Sequence, residues 1–148
     1  MPLKAHHPVG SEGNPERDAT QYMLLFRHGQ WDTSMTQDQI LEVMDQVTAW
    51  FDNLFAQGKV VGGSPLVEGG KTVRLQNGTA SVMDGPFVES KEAVAGYLLL
   101  KVDTLEEAVA IAKTSPLMRH DPTMSTEVRE IAAECPVYER LRGKAITA

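Results

Sequence analysis

Residues Tyr22 to Arg27 read Tyr-Met-Leu-Leu-Phe-Arg, and residues Gly96 to Val102 read Gly-Tyr-Leu-Leu-Leu-Lys-Val. Each run has the length of a β-strand and is apolar at successive positions, so that both faces of the strand are apolar. Such strands need apolar cover on both sides of their sheet. The source of that cover decides which fold the sequence predicts.

The first predicted helix runs from Gln37 to Gln57 and supplies cover for one face. Apolar residues recur in it at helical spacing, Thr36 and Gln39 form a capping box at its start, and a glycine follows its end. Trp50 and Phe51 belong to this apolar spacing, and both are assigned to the core rather than to a ligand site.

A second helix is predicted from Leu105 to Thr114, and it covers the same face of the sheet. Thr104 and Glu107 form a second capping box ahead of it. Pro116 is expected to close this helix, because proline cannot continue the backbone hydrogen bonding.

A β-hairpin is the strongest short-range signal in the rest of the chain. Asn77-Gly78 is typical of a type I′ turn, which needs positive φ at both central residues. This turn joins predicted strands at 71–76 and 79–84, and further strands are predicted at 60–67 and 125–132. Without the hairpin, the element order is β-α-β-β-α-β, the ferredoxin-like arrangement of an α+β fold.

Two helices can cover only one face of this sheet, so the second face needs another partner. At this chain length a second copy of the same sheet is the economical answer, and the sequence predicts a homodimer. In it, the strands at 22–27 and 96–102 face the partner's sheet. The domain is assigned to residues 22–136, between a polar N-terminal arm at 1–21 and a tail at 137–148.

Composition excludes several function classes. The 148 residues are 42% hydrophobic and 23% charged, as in one soluble globular domain, and the net charge of −6 argues against nucleic-acid binding. No zinc spacing, phosphate-binding glycine loop or nucleophile elbow occurs, so no cofactor is predicted. No apolar run is long enough for a bilayer and no secretory signal is visible. With the single cysteine, Cys135, these features predict a cytoplasmic protein without a membrane partner.

Residues 82–92 read Val-Met-Asp-Gly-Pro-Phe-Val-Glu-Ser-Lys-Glu, which resembles the signature of the DGPF branch of the YCII-related family. The likeness extends over residues 22–136 and includes Ala49-Trp50, Gly62-Gly63, Gly96-Tyr97-Leu98-Leu99 and the closing run Glu127-Val128-Arg129. The resemblance implies a ferredoxin-like dimeric α+β barrel, in agreement with the need to cover a second sheet face.

Two features depart from the family pattern. Members of the wider family often carry a histidine in the first helix that pairs with an aspartate, but no histidine occurs between Gln37 and Gln57 here. The segment from Pro116 to Ser125 also replaces the shorter, glycine-rich approach that is expected before the last strand. The first departure argues against the family's His–Asp mechanism, and the second predicts that this loop shapes any pocket.

Asp84 is the leading candidate for a catalytic residue. It ends a strand directly before a Gly-Pro turn, so its carboxylate is expected at the rim of a pocket, where it could act as a general base. The alternative is a structural role, because aspartate at the start of a turn accepts hydrogen bonds from nearby backbone N–H groups.

Histidines and an arginine complete the predicted site. His28 and His120 are candidate proton shuttles if either reaches the carboxylate, and otherwise they are loop residues. Arg27 is either an anion anchor or a partner in an ion pair at the strand end. Glu89 and Tyr97 are further ligand-binding candidates, with a solvated loop and the dimer core as their respective alternatives.

Three functional hypotheses follow. The first is cofactor-free acid/base catalysis, of isomerase or lyase type, on a small polar molecule; it rests on the resemblance to a wider family associated with His–Asp chemistry. The second is a non-catalytic module that binds a small ligand or regulates a partner, and the resemblance to domains found near sigma-factor proteins connects it with transcription regulation. The third is a structural dimer without a ligand.

The shape and lining of the pocket distinguish these hypotheses. A pocket lined by Asp84 and a histidine within hydrogen-bond reach supports the enzyme. An open apolar groove without titratable pairs supports the binding module. A filled barrel supports the structural dimer.

Overall fold

The computed structural model describes residues 20–147 except Gly29, Val88, Glu89, Lys91 and Glu134. Most of the predicted arm at 1–21 therefore lies outside the described residues. The elements, in chain order, are β1 (Gln21–Arg27), α1 (Gln37–Ala56), β2 (Val60–Pro65), β3 (Lys71–Gln76), β4 (Thr79–Asp84), β5 (Val94–Lys101), α2 (Leu105–Lys113), α3 (Pro116–His120), β6 (Ser125–Ile131) and α4 (Pro136–Thr147).

The main sheet has four antiparallel strands in the order β2-β5-β1-β6. With the β3–β4 hairpin set aside, this is the strand order of the ferredoxin-like fold. The α+β prediction is therefore confirmed. The two strands that are apolar on both faces, β1 and β5, lie at the centre of the sheet, where each is paired on both edges.

The hydrophobic core lies between one face of this sheet and helices α1 and α2. Leu24 pairs with Leu98 on β5 and Val128 on β6, so all three side chains point to this face. Leu24 and Leu98 are almost completely buried, and Leu54 of α1 and Ile111 of α2 join the same cluster. One face of the sheet is thus covered within the chain, as the helix pattern predicts.

On the two central strands the opposite face is also apolar, whereas β6 adds Glu127 and Arg129 to it beside Leu25 and Met23. Met23 pairs with Leu99, and Leu25 pairs with Tyr97, so these four side chains point away from the core. All four are only partly buried. We call this surface, made of Met23, Leu25, Tyr97 and Leu99, the open sheet face.

The two helix starts follow the predicted capping, with one difference. The Thr36 hydroxyl accepts from the Gln39 N–H and the Gln39 side chain accepts from the Thr36 N–H, so the first capping box is complete. At α2 the Thr104 hydroxyl accepts from the Glu107 N–H at 3.1 Å, but the Glu107 carboxylate accepts from the preceding backbone N–H of residue 103 instead. The second box is therefore only half formed.

Two segments differ from the sequence prediction. Helix α2 ends at Lys113, and Pro116 begins a short helix α3 rather than closing α2, because proline fits the first turn of a helix, where no N–H is needed. The segment expected as a tail forms helix α4, Pro136–Thr147. Its charged, weakly amphipathic sequence carries no strong periodic signal, which is why the pattern analysis missed it.

The β3–β4 hairpin forms a separate two-stranded sheet that projects from the domain. Asn77 and Gly78 have φ of 51° and 80°, and Gln76 pairs with Thr79, so the predicted two-residue type I′ turn is confirmed. Almost every residue of both strands is exposed. We call this element, residues 71–84, the arm; it is distinct from the polar N-terminal segment at 1–21.

Gly78→Val is expected to open the arm without unfolding the domain. A β-branched side chain resists the positive φ of Gly78, and the left-handed conformation costs a non-glycine residue about 1 kcal/mol or more. Amide hydrogen exchange at residues 71–84 should then accelerate by roughly fivefold or more, while exchange in β1 and β5 stays as in the wild type. Unchanged exchange in the arm would contradict the type I′ assignment.

Candidate functional site

A large cavity lies on the helix-covered side of the sheet, between α1, strand β2 and the base of the arm. Its volume is about 1010 Å³. It is open to solvent on one side, and most of its lining is apolar. The aromatic residues on its wall are Phe26, Trp31, Trp50, Phe51 and Phe55. Tyr97 also belongs to the lining, although its register places its side chain on the open sheet face. A cavity of this kind, largely apolar with few polar groups, is typical of small-molecule sites.

Glycines in β2 explain why the cavity exists. Gly63 pairs with the core residue Leu98 and so faces the helix side of the sheet without a side chain, which leaves α1 opposite bare backbone there. Gly63 also brings β2 unusually close to β5: a Cβ at this position would lie 2.6 Å from the carbonyl oxygen of Tyr97. The same region of α1 carries large aromatic side chains, which have no apolar side chain of β2 to fill the space beneath them.

Aromatic side chains of the cavity wall pack on one another. The rings of Phe26 and Trp50 are 6.5 Å apart in an edge-to-face arrangement, and those of Trp50 and Phe51 are 5.3 Å apart. The Trp50 indole N–H donates to the Thr114 hydroxyl at 2.8 Å, which fixes the ring relative to the end of α2. Trp50 and Phe51 do pack on the core, as predicted, but they also line the cavity.

Part of the DGPF turn contributes to the cavity. Gly85 and Pro86 line its rim together with Gly69 and Gly70, and the Gly85 N–H donates to the Gly70 carbonyl at 3.0 Å. The arm is therefore anchored where the chain enters and leaves the cavity rim.

The Asp84 side chain lies outside the cavity lining. It is 69% exposed and forms an ion pair with Lys71, which is directly opposite it in the arm. Lys71, by contrast, lines the cavity. The carboxylate thus reaches the site only through the ammonium group that it pairs with.

The two candidate histidines form their hydrogen bonds with residues other than Asp84. The His28 N–H donates to the Ala93 carbonyl at 3.0 Å, and the backbone of His28 has a φ of 62°. The His120 Nε2 lies 3.1 Å from the Gln46 side-chain oxygen. Among the residues that the structure describes, no hydrogen bond joins Asp84 to either histidine. A catalytic role for these three residues remains a prediction.

Arg27 is held in an ion pair at the end of β1. Its guanidinium donates to Glu127 at 3.1 Å and to the carbonyl oxygen of Glu92 at 2.9 Å. Hydrogen bonds from Arg129 and Arg27 hold the pKa of the Glu127 carboxyl below its usual range. Arg27 therefore has the strand-end contacts of its structural alternative, and its role as an anion anchor stays a prediction.

The other two candidates have different outcomes. Tyr97 lies at the cavity wall, while its register places its side chain on the open sheet face beside Leu25. Its assignment as a ligand contact is untested. Glu89 lies outside the described residues.

The described part of the chain holds no cluster of three or more His, Cys, Asp or Glu side chains that could bind a metal ion. It also has no helix that is long and apolar enough to cross a membrane.

Trp31 and the cavity itself were missed by the sequence analysis. Trp31 lies in the loop before α1, where no periodic pattern indicates which way a side chain points. A usable signal did exist, since Gly62-Gly63 follows a helix that is rich in aromatic residues. Small residues opposite large ones indicate a gap.

Comparison with known proteins identifies the family. The model of the YCII-related domain matches residues 20–132. An uncharacterized protein of Rhizobium meliloti (strain 1021) is 41% identical over 66 residues, which cover 44% of this chain. The chain spans about half the length of that relative, since the match covers 52% of it. The chain belongs to the YCII-related family, and its placement in the DGPF branch stays a prediction.

Proposed function

We propose that this YCII-related domain is a small-molecule-binding module whose ligand enters the cavity between α1 and β2. The observation that carries the proposal is the cavity: about 1010 Å³ of open, mainly apolar space lined by aromatic side chains. Pockets of similar size bind drug-sized molecules and are lined in the same way. Burial of an apolar ligand there gains about 25 cal/mol for each Å² removed from water.

The acid/base hypothesis receives less support from the same geometry. A general base has to reach the proton it removes, either directly or through one water. Asp84 is exposed, is paired with Lys71, and is absent from the described cavity wall. Neither His28 nor His120 lies on that wall in the described residues. The open apolar groove is the arrangement expected of a binder.

The proposal includes a homodimer that forms through the open sheet face. Met23, Leu25, Tyr97 and Leu99 form a contiguous apolar patch on the two central strands. Patches of this kind on a small domain mark interaction surfaces, and an interface of one surface with itself closes a two-fold dimer. Residues of helices α1 and α2 pack on the opposite side of the sheet, so this pairing uses a surface that they do not cover.

Tryptophan emission tests ligand binding directly. The chain has two tryptophans, and both line the cavity. Titration with 4-phenylbutan-1-ol, a neutral molecule with an aromatic end, should change the emission in a saturable way. A flat titration at millimolar ligand would contradict the proposal.

A matched pair of variants locates the binding site. Phe55 and Leu41 lie on the same helix and are both 57% exposed, but only Phe55 lines the cavity. Phe55→Ala should weaken binding of the alcohol by roughly fivefold, as loss of about 1 kcal/mol of apolar contact implies. Leu41→Ala should bind it as the wild type does. Equal affinities of the two variants would place the ligand elsewhere.

A further inference from the structure

The charges at the cavity do not cancel. Three charged residues line it in the described part of the chain: Glu68, Glu92 and Lys71. Lys71 is already neutralised by its ion pair with Asp84. Neither Glu68 nor Glu92 has a carboxylate in an ion pair among the described residues. The wall therefore carries two carboxylates that are not balanced by a cation of their own.

Arg27 contacts the backbone of Glu92 but does not reverse this balance among the described residues. The Arg27 guanidinium reaches the carbonyl oxygen of Glu92 at 2.9 Å, but its charge is paired with Glu127 at 3.1 Å. Hydrogen bonds from Arg129 and Arg27 lower the pKa of the Glu127 carboxyl, so Glu127 is ionised at neutral pH. Arg129 shares the same Glu127 carboxylate at 3.2 Å, so the Arg27–Glu127–Arg129 group keeps one positive charge. Neither arginine belongs to the described cavity lining, and the two carboxylates of Glu68 and Glu92 outnumber that one charge.

The aromatic wall favours the same sign of ligand charge. Ring faces of tryptophan, tyrosine and phenylalanine attract cations, with tryptophan the strongest, and the attraction grows as water is excluded. Trp31, Trp50 and Phe51 all contribute to this wall. The net charge of −6 of the whole chain also draws cations toward the molecule.

We propose that the ligand of this cavity is a lipophilic cation: an apolar or aromatic body that carries an amine or quaternary ammonium group. The body occupies the aromatic wall, and the ammonium group lies near Glu68 and Glu92. This inference rests on the proposed binding function and adds the charge of the ligand to it. Asp84 has a positioning role in this account, because it removes the charge of Lys71 from the cavity rim.

Three ligands with one phenylbutyl body separate the charge preference from binding itself. They are 4-phenylbutylammonium, 4-phenylbutan-1-ol and 4-phenylbutanoate, each titrated against tryptophan emission at low and high salt. The cation should bind at least about fivefold more tightly than the alcohol, as cation–π and exposed ion-pair attractions together imply. The carboxylate should bind most weakly, and added salt should narrow the differences.

The outcomes distinguish the two proposals. If the alcohol binds, but the carboxylate binds as tightly as the cation or more tightly, the cation preference is overturned and the binding function still stands. Failure of all three ligands to bind would contradict the binding function and the inference together. A cation preference that is unchanged by added salt would overturn the role given to the carboxylates.

Charge-removing variants test the residues. Glu68→Gln combined with Glu92→Gln should lower the ratio of cation to alcohol affinity at least about threefold, because each exposed ion pair is worth up to about 1 kcal/mol. Glu139→Gln, on α4 and away from the cavity wall, is the matched control and should keep the wild-type ratio. A ratio that stays at the wild-type value in the double variant would overturn the assignment.

Asp84→Asn tests the positioning role. The variant frees the Lys71 charge at the rim, so binding of the carboxylate should strengthen and binding of the cation should weaken. Leu75→Asn, a change at another exposed position of the arm, should alter neither. If Asp84→Asn leaves both affinities at the wild-type values, the role of this ion pair in selectivity is excluded.

Discussion

Leu99→Glu is expected to convert the proposed homodimer into a monomer. Leu99 lies in the middle of the open sheet face, paired with Met23 on β1. A carboxylate buried there in each protomer would lose its hydration without gaining a partner, and an uncompensated buried charge costs several kcal/mol. The dissociation constant of the dimer should therefore rise by a factor of at least about one hundred.

Light scattering after size-exclusion chromatography measures this effect. The wild type at micromolar concentration should show twice the chain mass of 16.2 kDa, and Leu99→Glu should show the chain mass itself. Leu41→Glu, a matched change on the exposed side of α1, should keep the wild-type mass. A monomeric wild type, or a Leu99→Glu variant that stays dimeric, would refute the proposed interface.

Gly63→Ala should destabilise the domain by about 1–3 kcal/mol, the usual cost of forcing an extra methyl group into a packed site. A Cβ at Gly63 would lie 2.6 Å from the Tyr97 carbonyl oxygen and 3.0 Å from the Leu98 Cα. Both are backbone atoms, so the contact can be relieved only if β2 moves away from β5. Such a movement strains the strand pairing that forms one wall of the cavity.

Gly62→Ala is the matched control, because a Cβ at Gly62 meets nothing within 4 Å. The two variants add the same methyl group to adjacent residues of one strand, so they differ only in what surrounds it. Urea denaturation should show a lower midpoint for Gly63→Ala and a midpoint close to the wild type for Gly62→Ala. Equal midpoints would contradict the close approach of β2 to β5.

The strand, helix and turn patterns predicted the architecture because each is set by local rules. The apolar runs in β1 and β5 could only belong to buried central strands, and the Asn77-Gly78 pair fixed the hairpin turn. The same turn also fixes the register of the arm. Outward from the turn, Gln76 pairs with Thr79, and five residues further along each strand Lys71 faces Asp84. This ion pair therefore follows from the turn and the strand lengths.

The candidate site was harder to predict because it depends on distances between elements. The sequence prediction grouped Asp84 with His28 and His120 in one site. In the structure, however, the Asp84 carboxylate is exposed on the arm, while His120 contacts Gln46 on α1. The cavity arises because glycine in β2 provides no side chain beneath α1, and a missing side chain gives no periodic signal in the sequence. Sequence patterns indicate which residues are buried, but they do not indicate how far apart two packed elements lie.

The measurement that tests the central claim most directly is a ¹H–¹⁵N correlation spectrum of the two indole N–H groups during a ligand titration. Trp31 and Trp50 are the tryptophans of this chain, and both line the cavity. We predict that both indole signals move in a saturable way with 4-phenylbutylammonium and share one dissociation constant. Indole signals that stay in place while the ligand is at saturating concentration would contradict binding in this cavity.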